Sequence, residues 1–217
     1  MNHQPYGPYE RFIKRPLDCF LATLAFIVLS PIMLITAILV RINLGSPVLF
    51  KQERPGRIDP KTGKERIFKL HKFRTMTDEK DENGKLLPDK DRLTPFGIFL
   101  RSTSIDELPE LINIIKGDMA IVGPRPLLVK YLDRYTPEQR RRHEVRPGLT
   151  GLAMATVRNS AGWEKKFELD IAYVDQVSFL MDSKIILWTI GTVLKRKGIN
   201  EPGQATNSEF KGTLEDK

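Results

Sequence analysis

Leu17 to Val40 forms an almost unbroken apolar run, interrupted at its centre by Ser30-Pro31. A helix of this length reaches about 36 Å, enough to cross a hydrocarbon core of about 30 Å. Both flanks are cationic, with Arg11, Lys14 and Arg15 before the run and Arg41, Lys51 and Arg54 after it. Cationic flanks favour the cytoplasmic side, and a straight span would place one of them outside. A helix that kinks at Pro31 and turns back satisfies both. Pro31 has no N–H and its ring opposes the Ile27 carbonyl. The Ser30 hydroxyl is placed to hydrogen-bond a carbonyl loosened by that break. The pattern therefore predicts a re-entrant hairpin buried in one leaflet. The competing readings are a bitopic span with a mild kink, a buried core helix and a cleaved signal peptide. The last fits worst, because the run exceeds a signal h-region and Arg41-Ile42-Asn43 is a poor approach to a small-residue cleavage site.

Beyond the membrane element, Val48-Leu49-Phe50 and Ile67-Phe68-Lys69-Leu70 read as short strands. The turn chemistry of Pro55-Gly56 and Asp59-Pro60-Lys61-Thr62-Gly63 between them suggests a hairpin. Residues 78–92, dense in Asp, Glu and Lys with a turn at Asn83-Gly84, read as a solvated loop. Phe96 to Arg101 reads as a short helix. Leu108, Leu111, Ile112 and Ile115 recur at the spacing of one helical face, and Gly117 closes that helix. Two proline-rich turns follow, Gly123-Pro124-Arg125-Pro126 and Arg146-Pro147-Gly148-Leu149-Thr150-Gly151, with a basic helical stretch over Arg140, Arg141, Arg142 and His143 between them. Residues 163–176 and 182–197 read as helices, the second amphipathic through Ile186, Ile190, Val193 and Leu194, with Lys195, Arg196 and Lys197 in its last turn before Gly198. Residues 1–10, and those beyond Ile199, read as loosely packed.

A formal charge of +8 and a pI near 9.6 imply an anionic partner: lipid headgroups, phosphorylated ligands or nucleic acid. Cys19 is the only cysteine, which excludes intramolecular disulfides and thiolate zinc clusters and suits a reduced setting. No nucleotide-binding glycine loop, serine-hydrolase elbow or nucleic-acid module is present. His3, His71 and His143 lack metal-ligand spacing.

Asp106-Glu107 opens the Leu108 to Ile115 helix. Ser104-x-x-Glu107 has the spacing of a capping box, and acids suit a helix N-terminus. The same first turn would also hold a carboxylate rigidly enough to attack or to bind a metal, and the two readings are compatible. Lys72-Phe73-Arg74 alternates at strand spacing, which predicts Lys72 and Arg74 on one face. Arg125 is fixed between two prolines, and Arg101 and Arg146 sit beside similarly stiff elements, a supply of guanidinium forks suited to phosphate. A phosphorylated substrate handled at the membrane interface is one reading. A basic adaptor binding anionic lipid through Arg140 to Arg142, or a tethered nucleic-acid binder, are the others.

With these residues laid out, the chain resembles the small monotopic phosphoglycosyl transferases of the bacterial sugar transferase family. The resemblance runs from about Arg11 to Gly198. It rests on Ser30-Pro31, Lys72-Phe73-Arg74-Thr75-Met76, Ser104-Ile105-Asp106-Glu107-Leu108-Pro109, Gly123-Pro124-Arg125-Pro126-Leu127 and Arg146-Pro147-Gly148-Leu149-Thr150-Gly151. Trp163-Glu164-Lys165-Lys166-Phe167 and Gly203-Gln204-Ala205-Thr206 are most similar to members that transfer a diacetylbacillosaminyl phosphate in protein glycosylation. Met154 stands where the family often has glutamine.

The resemblance implies a mostly helical α+β monotopic membrane protein. Residues 1–16 would be an N-terminal flank and 17–41 the re-entrant helix-break-helix hairpin with its break at Ser30 and Pro31. Residues 42–198 would be a cytoplasmic catalytic domain with a small β-hairpin and interfacial amphipathic helices, the Leu108 to Ile115 face among them, and 199–217 a tail. It implies transfer of a sugar 1-phosphate from a UDP-sugar to polyprenyl phosphate at the cytoplasmic face of the bacterial inner membrane, with release of UMP. Asp106 would be the nucleophile with Glu107 beside it, and Mg2+ would sit on Asp106 or Glu107. Lys72, Arg74, Arg101, Arg125 and Arg146 would serve the phosphates. Anionic lipid is the expected surface, nucleic acid is not an expected partner, and a homodimer is compatible with this reading.

Overall fold

The computed structural model describes residues 7–157, 161–195 and 209–213. Its helices are α1 (Lys14–Leu44), α2 (Asp89–Arg92), α3 (Pro95–Ser102), α4 (Glu110–Lys116), α5 (Pro137–Arg140), α6 (Leu152–Thr156), α7 (Trp163–Asp175) and α8 (Phe179–Lys195). An antiparallel hairpin joins β1 (Leu49–Ile58) to β2 (Glu65–Phe73), and β3 (Ala120–Val122) runs parallel to β4 (Gly148–Thr150). Helix accounts for about 56% of the structure, so the α+β, mostly helical expectation holds.

α1 keeps its helical character through Pro31. The break at Ser30-Pro31 is thus a missing hydrogen bond within one continuous helix rather than a gap between two. Ser30 Oγ donates at 2.7 Å to the Ile27 carbonyl, the acceptor that Pro31 has no N–H to reach. One side of α1 packs along the rest of the molecule over its whole length. Arg15 donates to the carbonyls of Ile114 and Ile115 at the end of α4 (2.9 and 2.8 Å). Ala22, Phe26 and Leu29 meet Phe68, Leu70, Leu111 and Ile114, and Met33, Ala37, Val40 and Leu44 meet Phe73, Phe96 and Leu100. The other side bares Phe20, Leu24, Ile27, Val28, Leu34, Ile35, Ile38 and Ile42.

The hairpin is longer than the two short apolar runs suggest, because the paired register from Leu49↔Phe73 to Pro55↔Ile67 includes polar positions on the open face. Residues 78–88 are largely exposed and turn at Gly84, as their charge density predicts. α4 departs from expectation. Leu111 of its predicted stripe is buried against α1 and the hairpin together with Ile114 from beside the stripe, and Ile115 packs on the same cluster, whereas Leu108 and Ile112 are partly buried, so the helix turns mainly to the core. Ile98 and Phe99 on α3 and Phe179, Leu180, Leu187 and Trp188 on α8 are the exposed apolar groups instead. On α8 Asp182 and Ile185 are deeply buried, whereas Ile190 of the predicted stripe is exposed. The side chains of Val193 and Leu194, residues 196–208 and residues 1–6 lie outside the described residues.

The two proline-rich turns interlock, a pairing with no local signal. β3 leads into the first and the second leads into β4, and the Gly123 N–H donates to the Thr150 carbonyl (2.8 Å). A Cβ on Gly123 would lie 2.3 Å from the Arg146 carbonyl oxygen, and one on Gly148 would lie 2.1 Å from the Gly123 nitrogen. Only glycine permits this approach.

The C-terminal region is not uniformly loose. Residues 209–213 dock on the domain, with Phe210 buried among Tyr131, Tyr135, Trp163 and Phe167. Nor is the Arg140 to Arg142 stretch a free basic patch. Arg140 donates to Glu65 (2.7 and 3.0 Å), Arg141 pairs with Glu138 and Asp175, and buried Arg142 donates twice to Asp170 (3.0 and 2.7 Å). His143 is buried between Tyr135 and Glu65.

Two measurements test this packing. Gly123→Ala should lower unfolding stability by about 3 kcal/mol, while Gly162→Ala, whose Cβ would meet open space, should be near neutral; thermal unfolding of the solubilised protein reads both. Burial pushes the His143 imidazole down to about 4. Because the unfolded chain protonates it near 6.5, the unfolded state binds more protons between those values and stability falls as pH falls through that window. From pH 7 to 4.5 the wild type should lose roughly 2 kcal/mol more than His143→Leu, measured by denaturant titration at both pH values.

Candidate active site

After α3 the chain reverses at Ser104, which among the described residues is the one non-glycine with positive φ (57°). This left-handed residue sends Ile105–Glu107 into a single 3-10 turn, with α4 starting at Glu110. The capping box does not form, because a capping residue needs extended φ/ψ that Ser104 lacks. The Ser104 carbonyl accepts the Glu107 N–H at 3.2 Å, the Ser104 side chain makes no cap bond, and the Glu107 carboxylate turns to cations.

Three carboxylates converge here: Asp106 and Glu110, both buried, and partly buried Glu107. Lys72 Nζ, from the end of β2, donates to Glu107 Oε1 at 2.6 Å and lies 3.0 Å from Glu110 Oε1. Arg125 Nη2 donates to the same Glu107 oxygen at 2.9 Å, and its Nη1 faces Met154 Sδ at 3.3 Å. Arg101, whose Nε donates to Thr75 Oγ1 at 3.0 Å, adds positive potential at Asp106.

The carboxylates differ in character. Burial and the neighbouring charge of Glu107 raise the Asp106 carboxyl above the ordinary aspartate range, against the pull of Lys72, Arg101 and Arg125. Burial also opposes the Glu107 charge, yet Lys72 and Arg125 hold that group well below the glutamate range. Glu110 is raised by burial and by Glu107. No hydrogen bond from the described residues reaches the Asp106 carboxylate. The result is a more basic carboxylate, without a hydrogen-bond donor among the described residues, beside one held in its charged form.

Of the five cations that the sequence singles out, Lys72, Arg101 and Arg125 share this site. Arg74 does not join Lys72: β2 ends at Phe73, and buried Arg74 instead donates to Asp78 (2.7 Å) and the Ser46 carbonyl (3.1 Å). Arg146 has Asp18, Arg15, Arg57 and Tyr173 as its electrostatic neighbours, none of them in the Asp106 cluster.

Sequence reasoning missed the residues that hold Arg125. The Pro124 carbonyl accepts from Gly148 N–H (3.0 Å), the Arg125 carbonyl from Arg142 Nη2 (2.7 Å) and the Pro126 carbonyl from Arg54 Nη1 (3.1 Å). Three consecutive carbonyls are thereby fixed, so the guanidinium sits on an immobile stem. Glu110 was legible as a third acid within five residues of a basic chain. Arg54, Arg142 and Asp170 carry no local signal, because their roles arise from contacts across 17 to 72 residues.

A profile of the bacterial sugar transferases matches residues 9–196. The chain belongs to the bacterial sugar transferase family. An uncharacterized sugar transferase of Bacillus subtilis, EpsL, is 51% identical over 93% of this chain and 96% of its own length. A UDP-N-acetylgalactosamine-undecaprenyl-phosphate N-acetylgalactosaminephosphotransferase of Aeromonas hydrophila is 37% identical over 87% of this chain. A UDP-glucose:undecaprenyl-phosphate glucose-1-phosphate transferase of Escherichia coli is 36% identical over 86%. The chain spans 45% and 41% of those last two proteins, so it corresponds to one portion of each. None of these three names specifies diacetylbacillosamine.

In this bacterial sugar transferase the shared ammonium of Lys72 is what makes the acidic cluster tolerable. Lys72→Met should destabilise the fold by about 3 kcal/mol through the uncompensated pair Glu107 and Glu110, and the double variant Lys72→Met/Glu110→Gln should recover part of that loss in thermal unfolding.

Proposed function

We propose that this chain moves a sugar 1-phosphate from a UDP-sugar to polyprenyl phosphate, with Asp106 as the nucleophile. The observation that carries the reading is the buried Asp106 carboxylate, free of hydrogen bonds from the described residues and under the potential of Lys72, Arg101 and Arg125. An Asp106 oxygen attacks the β-phosphorus of the UDP-sugar. The bond from that phosphorus to the bridging oxygen breaks, and the oxygen leaves with UMP. An oxygen of polyprenyl phosphate then attacks the same phosphorus and the carboxylate departs, giving polyprenyl-diphosphate-sugar. Splitting one displacement into two is what a nucleophilic carboxylate offers. Its raised basicity favours attack, and Arg125 and Arg101 meet charge on the phosphoryl oxygens. Glu107, engaged by Lys72 and Arg125, positions those two cations beside the reacting group.

Magnesium belongs to this proposal. The donor chemistry fits, since Asp106 is a hard oxygen donor without a hydrogen-bonded proton, whereas Glu107 already accepts from two cations. Among the described residues no group of three His, Cys, Asp or Glu side chains is gathered to hold a metal. The remaining ligands would therefore be diphosphate oxygens and water, as magnesium commonly takes them. The ion would neutralise charge on the transferred group.

The exposed surfaces support the membrane disposition we propose. α1 packs along the folded domain at both its ends, so a perpendicular span would draw the charged hairpin into hydrocarbon beside it. Lying within one leaflet, α1 presents its bare apolar side to lipid, and the exposed apolar groups of α3 and α8 add to that surface. Such a placement on the cytoplasmic face holds Asp106 where a lipid phosphate and a soluble UDP-sugar both arrive. The sugar we propose is N-acetylated, diacetylbacillosamine being the reading from Trp163 to Phe167.

Purified protein with polyprenyl phosphate and a panel of UDP-sugars should release UMP, fastest with an N-acetylated amino sugar. Asp106→Asn should cut the rate by more than about 10³-fold, and chelation should stop it until magnesium is restored. Normal turnover in Asp106→Asn would remove Asp106 from its role. In a Cys19→Ser background, cysteines placed at Pro8 and at Lys51 should both label from the cytosol alone; periplasmic labelling at position 8 would establish a bitopic span.

A further inference from the structure

Residues 209–213 carry an aromatic plug. Phe210 is 3% exposed, stacks on Tyr135 (ring centroids 5.7 Å apart) and meets Phe167 edge-on (5.0 Å), with Tyr131 and Trp163 each also in ring contact. Its backbone is tied down as well. The Phe210 N–H donates to the Tyr131 hydroxyl (3.3 Å) and its carbonyl accepts from Arg134. Gln139 Nε2 donates to Thr213 Oγ1 at 2.7 Å.

The same two rings, Tyr135 and Phe167, face the Arg142 guanidinium, whose carbon lies 5.9 and 5.6 Å from their centroids. Arg142 is 2% exposed and bridges Asp170 Oδ2 to the Arg125 carbonyl, both at 2.7 Å from its Nη2. A buried ion pair of this kind keeps its geometry only while water is excluded, since attraction weakens steeply as the local dielectric rises. Phe210 is the residue that closes the ring cluster from the tail.

We propose that Phe210 is a positioning residue for Arg125, acting through Tyr135, Phe167 and Arg142, so that residues 209–213 form part of the substrate-phosphate site without touching its charged groups. The proposal rests on the transferase reading only for the identity of what Arg125 holds. The route is a cover of rings over a guanidinium, and that guanidinium grips the carbonyl of the residue whose own fork reaches Glu107. Truncation before Glu209 then impairs the site while leaving the membrane helix and the acidic cluster in place.

The test uses full-length protein in micelles, as Phe210→Ala and the milder Phe210→Leu, with Ile185→Ala as a core variant on α8 outside the route. Hydrogen–deuterium exchange, which needs no substrate, should quicken about tenfold at the amides of Gly123 and Gly148, which donate to the Thr150 and Pro124 carbonyls that frame the Arg125 turn, in Phe210→Ala, less in Phe210→Leu and not in Ile185→Ala. The KM for the UDP-sugar should rise about tenfold or more in Phe210→Ala, with kcat less affected. Unchanged exchange at those amides, an equal increase in Ile185→Ala, or an unaltered KM would overturn the positioning role. Absence of UMP release by the wild type would sink the transferase reading instead, and the exchange data would still decide the route.

Discussion

Like charges set the terms of this structure. Two carboxylates about 4 Å apart repel by about 4 kcal/mol at an effective dielectric of 20, and here three of them, Asp106, Glu107 and Glu110, occupy one turn and the start of one helix. They coexist because cations from distant elements are delivered to them: Lys72 by the hairpin, Arg101 by α3 and Arg125 by a proline-bracketed turn. Each delivery depends on rigid support, from strand pairing for Lys72 to three hydrogen-bonded carbonyls for Arg125. The outcome is division of labour between neighbours. Glu107 absorbs the cations and stays charged, and Asp106 is left basic and without a hydrogen-bond donor among the described residues.

α1 contributes to the same arrangement while carrying a lipid-compatible surface. Its inner stripe is the floor on which α4 and the hairpin rest, and so it fixes the height of the acidic turn above its apolar side. Lys14, buried near its start, reaches Asp182, which also accepts from Tyr9 and Tyr173, so α8 is locked to the same helix. On the proposed membrane disposition, a helix that is also core scaffold couples the depth of insertion to the position of the site.

Much of this was legible in order along the chain. The apolar run, its Ser30-Pro31 discontinuity, the hairpin, the acidic pair and the rigid Arg125 turn all follow from local chemistry, and the Ser30 hydroxyl meets the Ile27 carbonyl that proline geometry leaves over. The misreadings share a cause. Ser104-x-x-Glu107 looks like a cap until Ser104 takes a left-handed φ; Lys72 and Arg74 look like partners until β2 stops between them; Leu111 looks interfacial until α1 covers it. In each, a local preference worth about 1 kcal/mol yields to a larger tertiary contact.

The sequence by itself determined which groups are present and which short segments are locally stiff, since apolar spacing, proline and glycine placement and charge are properties of short segments. Which cations meet which carboxylates was decided only by the tertiary structure. Arg101 and Arg125 converge on the acidic turn and Arg146 does not, Arg142 serves Asp170 rather than a lipid, and Phe210 closes a ring cluster that starts some 80 residues earlier. Those pairings are long-range because electrostatic and packing energies depend on distance in space, and nothing in a local window records it.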